Sequence, residues 1–416
     1  MARLIRTGGG MAVLRTVRLL LAAELTTALG IGLTEPYVIV LLHDVRGLSL
    51  TAATGVLALA AVAGLLGSPF AGALIDRYGG RRMMAAGLAL AVAGLPVVAA
   101  ATGVVPVAAG IAVTALGFAV SIPALVTLLA TLTPAHDHRR IYTLQYTVYN
   151  IGMATGAALG GLALAHRPLI PLLWAAAALT CLAALGMTVS GGPRATPRPA
   201  PAPPGGYRHA LADRRLVRLL GAAALLSTVG FGIFSAAPPV FAIAAHDPAA
   251  LSWVSVANCV AVVAGAPLAT RLAGRFSARA ALLGTATLWA LAWAVCIPTV
   301  LGAGLSTRAA LTCAAILTGA GELLIAGALP ALVDAIAPAP LRGRCHALSS
   351  LAQTAGMAAG PLLVTATTAT GRPLLLLSAA IALSAAATGL LLEYGGPRRD
   401  RTARRRGLTR VRPRAR

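Results

Sequence analysis

The stretch GALIDRYGGRR, Gly72 to Arg82, decides the reading of this chain. It lies between two long apolar runs and carries one acid, Asp76, three arginines, Arg77, Arg81 and Arg82, and three glycines, Gly72, Gly79 and Gly80. A polar turn this short between two membrane spans needs all three residue types. Glycine permits close backbone approach and left-handed dihedrals. An acid can sit at a helix terminus or pair with arginine. Arginines hold such a loop on the cytoplasmic side of a membrane.

Outward from that turn, the composition points the same way. Of 416 residues, 58% are hydrophobic and 11% charged, against about 25% charged in an ordinary soluble domain. So few charges cannot cover a water-facing surface of this size. The apolar runs are roughly 20 residues long and do not alternate, which predicts helical spans and not barrel strands. The net charge of +23 comes from 34 basic residues, all arginine. They fall in turns and tails, not on one amphipathic face, so no nucleic-acid partner is expected.

Twelve spans are expected, at about 16–42, 50–72, 83–102, 105–132, 142–165, 169–190, 215–241, 252–272, 279–301, 308–335, 346–369 and 373–393. The first resembles a signal peptide, but Glu24 interrupts its apolar core and the run continues to about Leu42. With both termini cytoplasmic, inside segments hold thirty of the 34 arginines, and only Arg46, Arg167, Arg308 and Arg372 lie outside. That asymmetry is what the positive-inside rule requires, and one missed span would scramble it. The expected organisation is an N-terminal six-helix bundle over 1–190, a Pro/Gly/Arg cytoplasmic linker over 191–214, a C-terminal six-helix bundle over 215–393 and a basic tail over 394–416. The tail has the composition of a headgroup-binding or a solvated segment.

The halves echo each other. Gly30 and Gly32 match Gly230 and Gly232; Pro69, Arg77 and Arg81 match Pro267, Arg275 and Arg279; NIGMATGAALGG (150–161) matches TAGMAAGPLL (354–363) in part. Parallel repeats of this kind place a substrate between the halves near mid-membrane.

The Gly72–Arg82 turn resembles the loop between helices 2 and 3 of the major facilitator superfamily, roughly G-x-L-a-D-r-x-G-r-r, which in that family helps latch the cytoplasmic gate. GELLIAGALPALVDAIAPAPLRGR (321–344) resembles helix 10 and its following loop in bacterial exporters of the superfamily, through Gly321, Glu322, Pro330, Asp334, Pro338, Arg342, Gly343 and Arg344. The resemblance implies an all-α membrane protein of twelve transmembrane helices in two pseudo-symmetric bundles. It implies a gate motif of Gly72, Asp76, Arg77, Gly79, Arg81, Arg82, Asp334 and Arg342. Gly152, Gly156, Gly160 and Gly161 permit close helix contact and resemble the antiporter motif of helix 5; Gly356, Gly360 and Pro361 are the packing residues of its second-half echo. Ala157 stands where that motif has proline, and span 4 lacks the arginine usual in drug:proton antiporters. Proton coupling would therefore fall to a carboxylate.

An acid within a span tends to face a cavity or a partner. Glu322 is mid-span, either a coupling acid or a structural acid bonded to a neighbouring helix. Glu24 and Glu35, eleven residues apart, would share one face of span 1 as a proton- or cation-binding stripe, or reach the interface and be solvated. On span 5, helical spacing sets Tyr146 and Tyr149 with Tyr142 and Gln145 on one side, near Asn150, a face suited to an amphipathic organic molecule. The loop histidines, His136 and His138 among them, read as solvated. No zinc spacing, Walker loop or nucleotide fingerprint occurs, so no metal, cofactor or enzymatic activity is expected. The leading expectation is a monomeric transporter in the inner (plasma) membrane, exporting a small drug-like compound or metabolite by proton antiport. Uptake or symport with the same fold is the nearest alternative, and a receptor or scaffold is the alternative of another class.

Overall fold

The computed structural model describes residues 10–38, 41–48, 50–164, 169–189, 206–245, 250–368 and 370–394. Most of the expected linker and all of the expected tail beyond Tyr394 lie outside these residues. The described chain is helical throughout. Its first six long helices are α1 (Gly10–Thr34), α2 (Leu50–Tyr78), α3 (Gly80–Ala100), α4 (Val104–Leu132), α5 (His138–Leu164) and α6 (Leu169–Val189). A short helix, Tyr207–Ala212, precedes α7, which runs Arg214–Ser227, through a π turn Thr228–Ile233, into Phe234–Ala244. Then follow α8 (Ala250–Leu272), α9 (Ala278–Ala294), α10 (Thr307–Ile336), α11 (Arg342–Thr368) and α12 (Pro373–Glu393). Eight of these meet both length and apolarity for a membrane crossing among the described residues. The other four, α2, α5, α6 and α8, occupy the expected second, fifth, sixth and eighth spans.

Local chemistry sets the helix ends. Ser277 and Ser306 accept from the N–H groups of Ala280 and Ala309, and Asp213 accepts from Arg215, each satisfying a first-turn donor. Gly79 joins α2 to α3 at φ 86°, where a side chain would be strained. α1 stops short of its expected end: Thr34 leaves helical geometry and Glu35–Tyr37 forms a 3₁₀ turn with Pro36 at its start. Proline, lacking a backbone donor, favours that break.

The two sets of six helices are built alike. α1 packs on α5, and α7 on α11, through matched glycines. A Cβ on Gly156 would fall on the Leu29 carbonyl, and one on Gly360 would fall on Gly232. The apolar core is divided accordingly. The largest cluster draws only on residues from Ala210 to Tyr394, around fully buried Trp289 and Trp293. Two further clusters consist of buried residues of α1–α6 and the α1–α2 turn. Between the halves, α2 meets α11, and α5 meets α8 and α10.

Candidate functional site

Two polar groupings lie on the seam between the halves. The deeper one centres on Glu322, halfway along α10 and 5% exposed. Its Oε2 accepts from the Tyr146 hydroxyl at 2.8 Å and its Oε1 from the Asn258 amide at 3.0 Å. Tyr146 is on α5, Asn258 and Glu322 on α8 and α10, so the carboxylate joins the halves. Both donors are neutral, and among the described residues no arginine or histidine pairs with this acid. A lone buried carboxylate of this kind can accept a proton or a ligand's positive charge.

Glu24 lies across the first half from it. The Gln145 amide donates to Glu24 at 2.5 Å, joining α5 to α1. Glu24, Phe118, Ser121 and Tyr149 line a cleft enclosed by α1, α3, α4 and α5. Glu35 lies beyond the end of α1, in the 3₁₀ turn. The break at Thr34 carries it off the end of α1, where its side chain is exposed. Asn150 is turned back on its own helix, donating to the Tyr146 carbonyl at 2.9 Å.

The second grouping closes the arginine-rich face. Asp76, at the end of α2, accepts from the backbone N–H groups of Gly343 (2.6 Å) and Arg344 (3.2 Å), and from the Arg344 guanidinium at 2.9 Å. The carboxylate thus caps the N-terminus of α11 in the opposite half, where backbone donors and the helix dipole favour an anion. A Cβ on Gly72 would strike Ala347 at 2.6 Å, so only glycine lets α2 approach α11 this closely. Tyr207, from the short helix before α7, donates its hydroxyl to the Pro69 carbonyl and lies under the Arg344 guanidinium, 5.7 Å from ring centre to charge. Arg139, on α5, donates to the Ala273 carbonyl at 2.9 Å and to that of Phe276, capping the end of α8. Arg77 stacks on Tyr78, and Arg77 and Arg82 are exposed.

Asp334, near the end of α10, is surrounded by donors from two helices. From α5 come the Tyr142 hydroxyl and His138, and from α11 comes His346 at 2.8 Å, while the Arg342 guanidinium lies at ion-pair distance, 3.5 Å, without a hydrogen bond. His138 is 5% exposed, against the solvated loop residue expected of it, because the opposite half covers the turn. Gly152, Gly156 and Gly160 contact α1 and the turn beyond it, and Gly356 and Gly360 contact α7; Pro361 follows within α11, and the surroundings of Gly161 lie outside the described residues. Sequence reasoning missed Asn258, His138, His346 and Tyr207. Only Tyr207 carried a local signal, as an aromatic beside an otherwise polar linker.

The family model described as Major Facilitator Superfamily matches residues 20–244 and 219–415. Among solved structures, the fold is similar to that of a Major Facilitator Superfamily transporter, FucP, in the outward conformation, at TM-score 0.75 and 15% identity, covering 92% of this chain and 98% of that one. It is similar to a bacterial homologue of the iron transporter ferroportin in an outward-facing state, at TM-score 0.74 and 16% identity, covering 91% and 98%. The human organic anion transporter MFSD10 gives TM-score 0.66 at 17% identity, covering 92% and 98%. At these identities the likeness is one of fold. No curated protein matches the sequence.

Proposed function

Because the chain belongs to the major facilitator superfamily, we propose that it is a secondary active transporter that exports a small organic compound by alternating access in exchange for protons. The observation that carries this reading is the position of Glu322. It is an acid at mid-span, on the seam, held by one neutral donor from each half and by no cation among the described residues. Rocking the halves apart would separate Tyr146 from the carboxylate, so its proton affinity would change with the transport step. Glu24, Tyr149 and Phe118 line a cleft in the first half that has room for about one water in this state and would have to widen as the halves part before a lipophilic cation entered it. On this reading the arginine-rich face is cytoplasmic, both termini lie inside, and the protein works as a monomer in the inner membrane. The grouping around Asp76 and Asp334 then forms the cytoplasmic gate.

The test is flux in proteoliposomes with an imposed pH gradient, over lipophilic cations and antibiotics, comparing wild type with Glu322→Gln. The expected result is compound movement with proton counterflow in wild type, lost in the variant. Transport that persists in the variant and ignores the gradient would overturn both the role of Glu322 and the coupling. Co-directional proton flow would replace antiport with symport.

A further inference from the structure

His138 has acceptors on both ring nitrogens. Nδ1 faces the Asp334 carboxylate at 3.1 Å, and Nε2 faces the carbonyls of Ala130 at 3.1 Å and Thr133 at 3.0 Å. A neutral imidazole has a single N–H and cannot satisfy both sides. His346 differs, because it meets Asp334 through Nε2 alone, which one neutral tautomer satisfies. The His138 pair therefore needs one proton more than a neutral imidazole beside a carboxylate supplies. That proton belongs on the ring, because Asp334 already accepts from the Tyr142 hydroxyl and from His346 and stays a carboxylate. Side-chain exposures of 7% for His138 and 3% for Asp334 keep water from making up the deficit.

We propose that His138 and Asp334 form a proton-binding site, separate from Glu322, that is occupied when the arginine-rich face is closed and empties when it opens. The two carbonyls belong to the α4–α5 turn and travel with His138, whereas Asp334 belongs to α10 in the other half. Parting the halves leaves Nε2–H in place and strips the carboxylate from Nδ1. The Nδ1–H bond then breaks, its electron pair stays on the ring and the proton passes to water.

The other charged or titratable groups facing this site are Tyr142 on α5, and Arg342, Cys345 and His346 on α11. In the preceding turn, Asp137 pairs with His136 and Arg140, and Arg139 is bonded to the end of α8. His138 precedes the membrane span of α5, expected from about residue 142. Burial opposes its cation, but the bond to Asp334, the Asp334 charge and the two carbonyls outweigh that and raise its pKa above the ordinary value. A raised closed-state pKa favours closure fully below the ordinary histidine value, and that contribution is lost as pH rises through the closed-state value. The linkage is about tenfold in the closed-to-open ratio for each unit of difference.

Two measurements on the full-length protein test this. First, ¹⁵N-histidine spectra at about pH 7.5, a unit above the ordinary histidine pKa of about 6.5, read the ring directly. His138 is identified among the seven histidines by its loss in His138→Gln. Should that variant not fold, it is identified as the resonance moved by Asp334→Asn that survives His346→Gln. Both nitrogens protonated is the expected result, and a single neutral tautomer overturns the proposal. Second, alkylation of native Cys345, 1% exposed beside the gate, reports opening of that face when normalised to the denatured protein at each pH. The wild-type ratio should rise with pH. The rise should vanish in His138→Gln and remain in His346→Gln; an unchanged profile in His138→Gln overturns the proposal. Only the opening step rests on alternating access, and the spectra stand without it. The Glu322→Gln flux assay fails or succeeds separately.

Discussion

Replacing Asp76 with asparagine keeps the shape of the side chain and removes its charge. The native carboxylate serves three donors across the seam, at 2.6, 3.2 and 2.9 Å. The substituted side chain could still accept from the Gly343 N–H through its carbonyl, but its amide NH₂ would face Arg344, donor against donor. Hydrogen bonds to a charged acceptor are worth about 1.5–3 kcal/mol and neutral ones about 0.5–1.5 kcal/mol. Side-chain exposures of 5% for Asp76 and 17% for Arg344 leave little screening. Breaking a buried pair by removing one partner costs about 3–5 kcal/mol, and the retained carbonyl bond offsets part of that. A net loss of about 2–3 kcal/mol from the closed state follows. At about 1.4 kcal/mol per tenfold, the open population rises roughly 30- to 150-fold. Cys345 adjoins Arg344 and is buried, so its alkylation rate at fixed pH tracks that population. The expected result for Asp76→Asn is an increase in that range. Asp137→Asn, at an acid on the same face that pairs only within its own half, should change the rate little. A rise of less than about threefold in Asp76→Asn, or an equal rise in Asp137→Asn, would refute the assignment of a cross-half latch to Asp76.

Tyr207→Phe removes one neutral hydrogen bond, to the Pro69 carbonyl, and keeps the ring beneath Arg344; a loss of about 0.5–1.5 kcal/mol should raise Cys345 alkylation only several-fold. Gly156→Ala would press a methyl onto the Leu29 backbone, where no flexible side chain can yield. It should cost about 1–3 kcal/mol, seen as a lowered unfolding midpoint in detergent. Gly64→Ala, with nothing within 4 Å, should leave that midpoint unchanged or slightly raised.

The twelve helices were legible because each apolar run had polar punctuation, and Glu322 because an acid in such a run stands out. Tyr146 could be placed beside it only as far as one helix allows, on the polar face of span 5. Its partner Asn258 could not, since a single asparagine on α8 has no spacing that ties it to an acid 64 residues later. The end of α1 was placed too late, because the helix was carried past Thr34 although Pro36 marked the break. Asn150 is bonded within α5, to the Tyr146 carbonyl. His138 looked like a solvated turn residue because its partner across the seam, Asp334 of α10, lies about 200 positions away, and such a long-range contact leaves no local trace in sequence.

The division of the apolar core bears on how easily the halves can part. The buried residues of each large cluster lie within one half, while the seam carries the polar groups of Asp76, Asp334, Arg139, Glu322 and Tyr207 beside a small apolar contact in which Tyr146 packs on Val262, Ala266 and Leu323. Separating two apolar surfaces loses about 25 cal/mol for every Å² wetted, and water offers nothing in return. Separating hydrogen-bonded groups exchanges each bond for one to water, at a net of about 0.5–1.5 kcal/mol when neutral. On the proposed mechanism, folding stability would rest mainly on the cores within the bundles and the energy of opening mainly on the polar groups of the seam, so selection could tune one with little disturbance of the other.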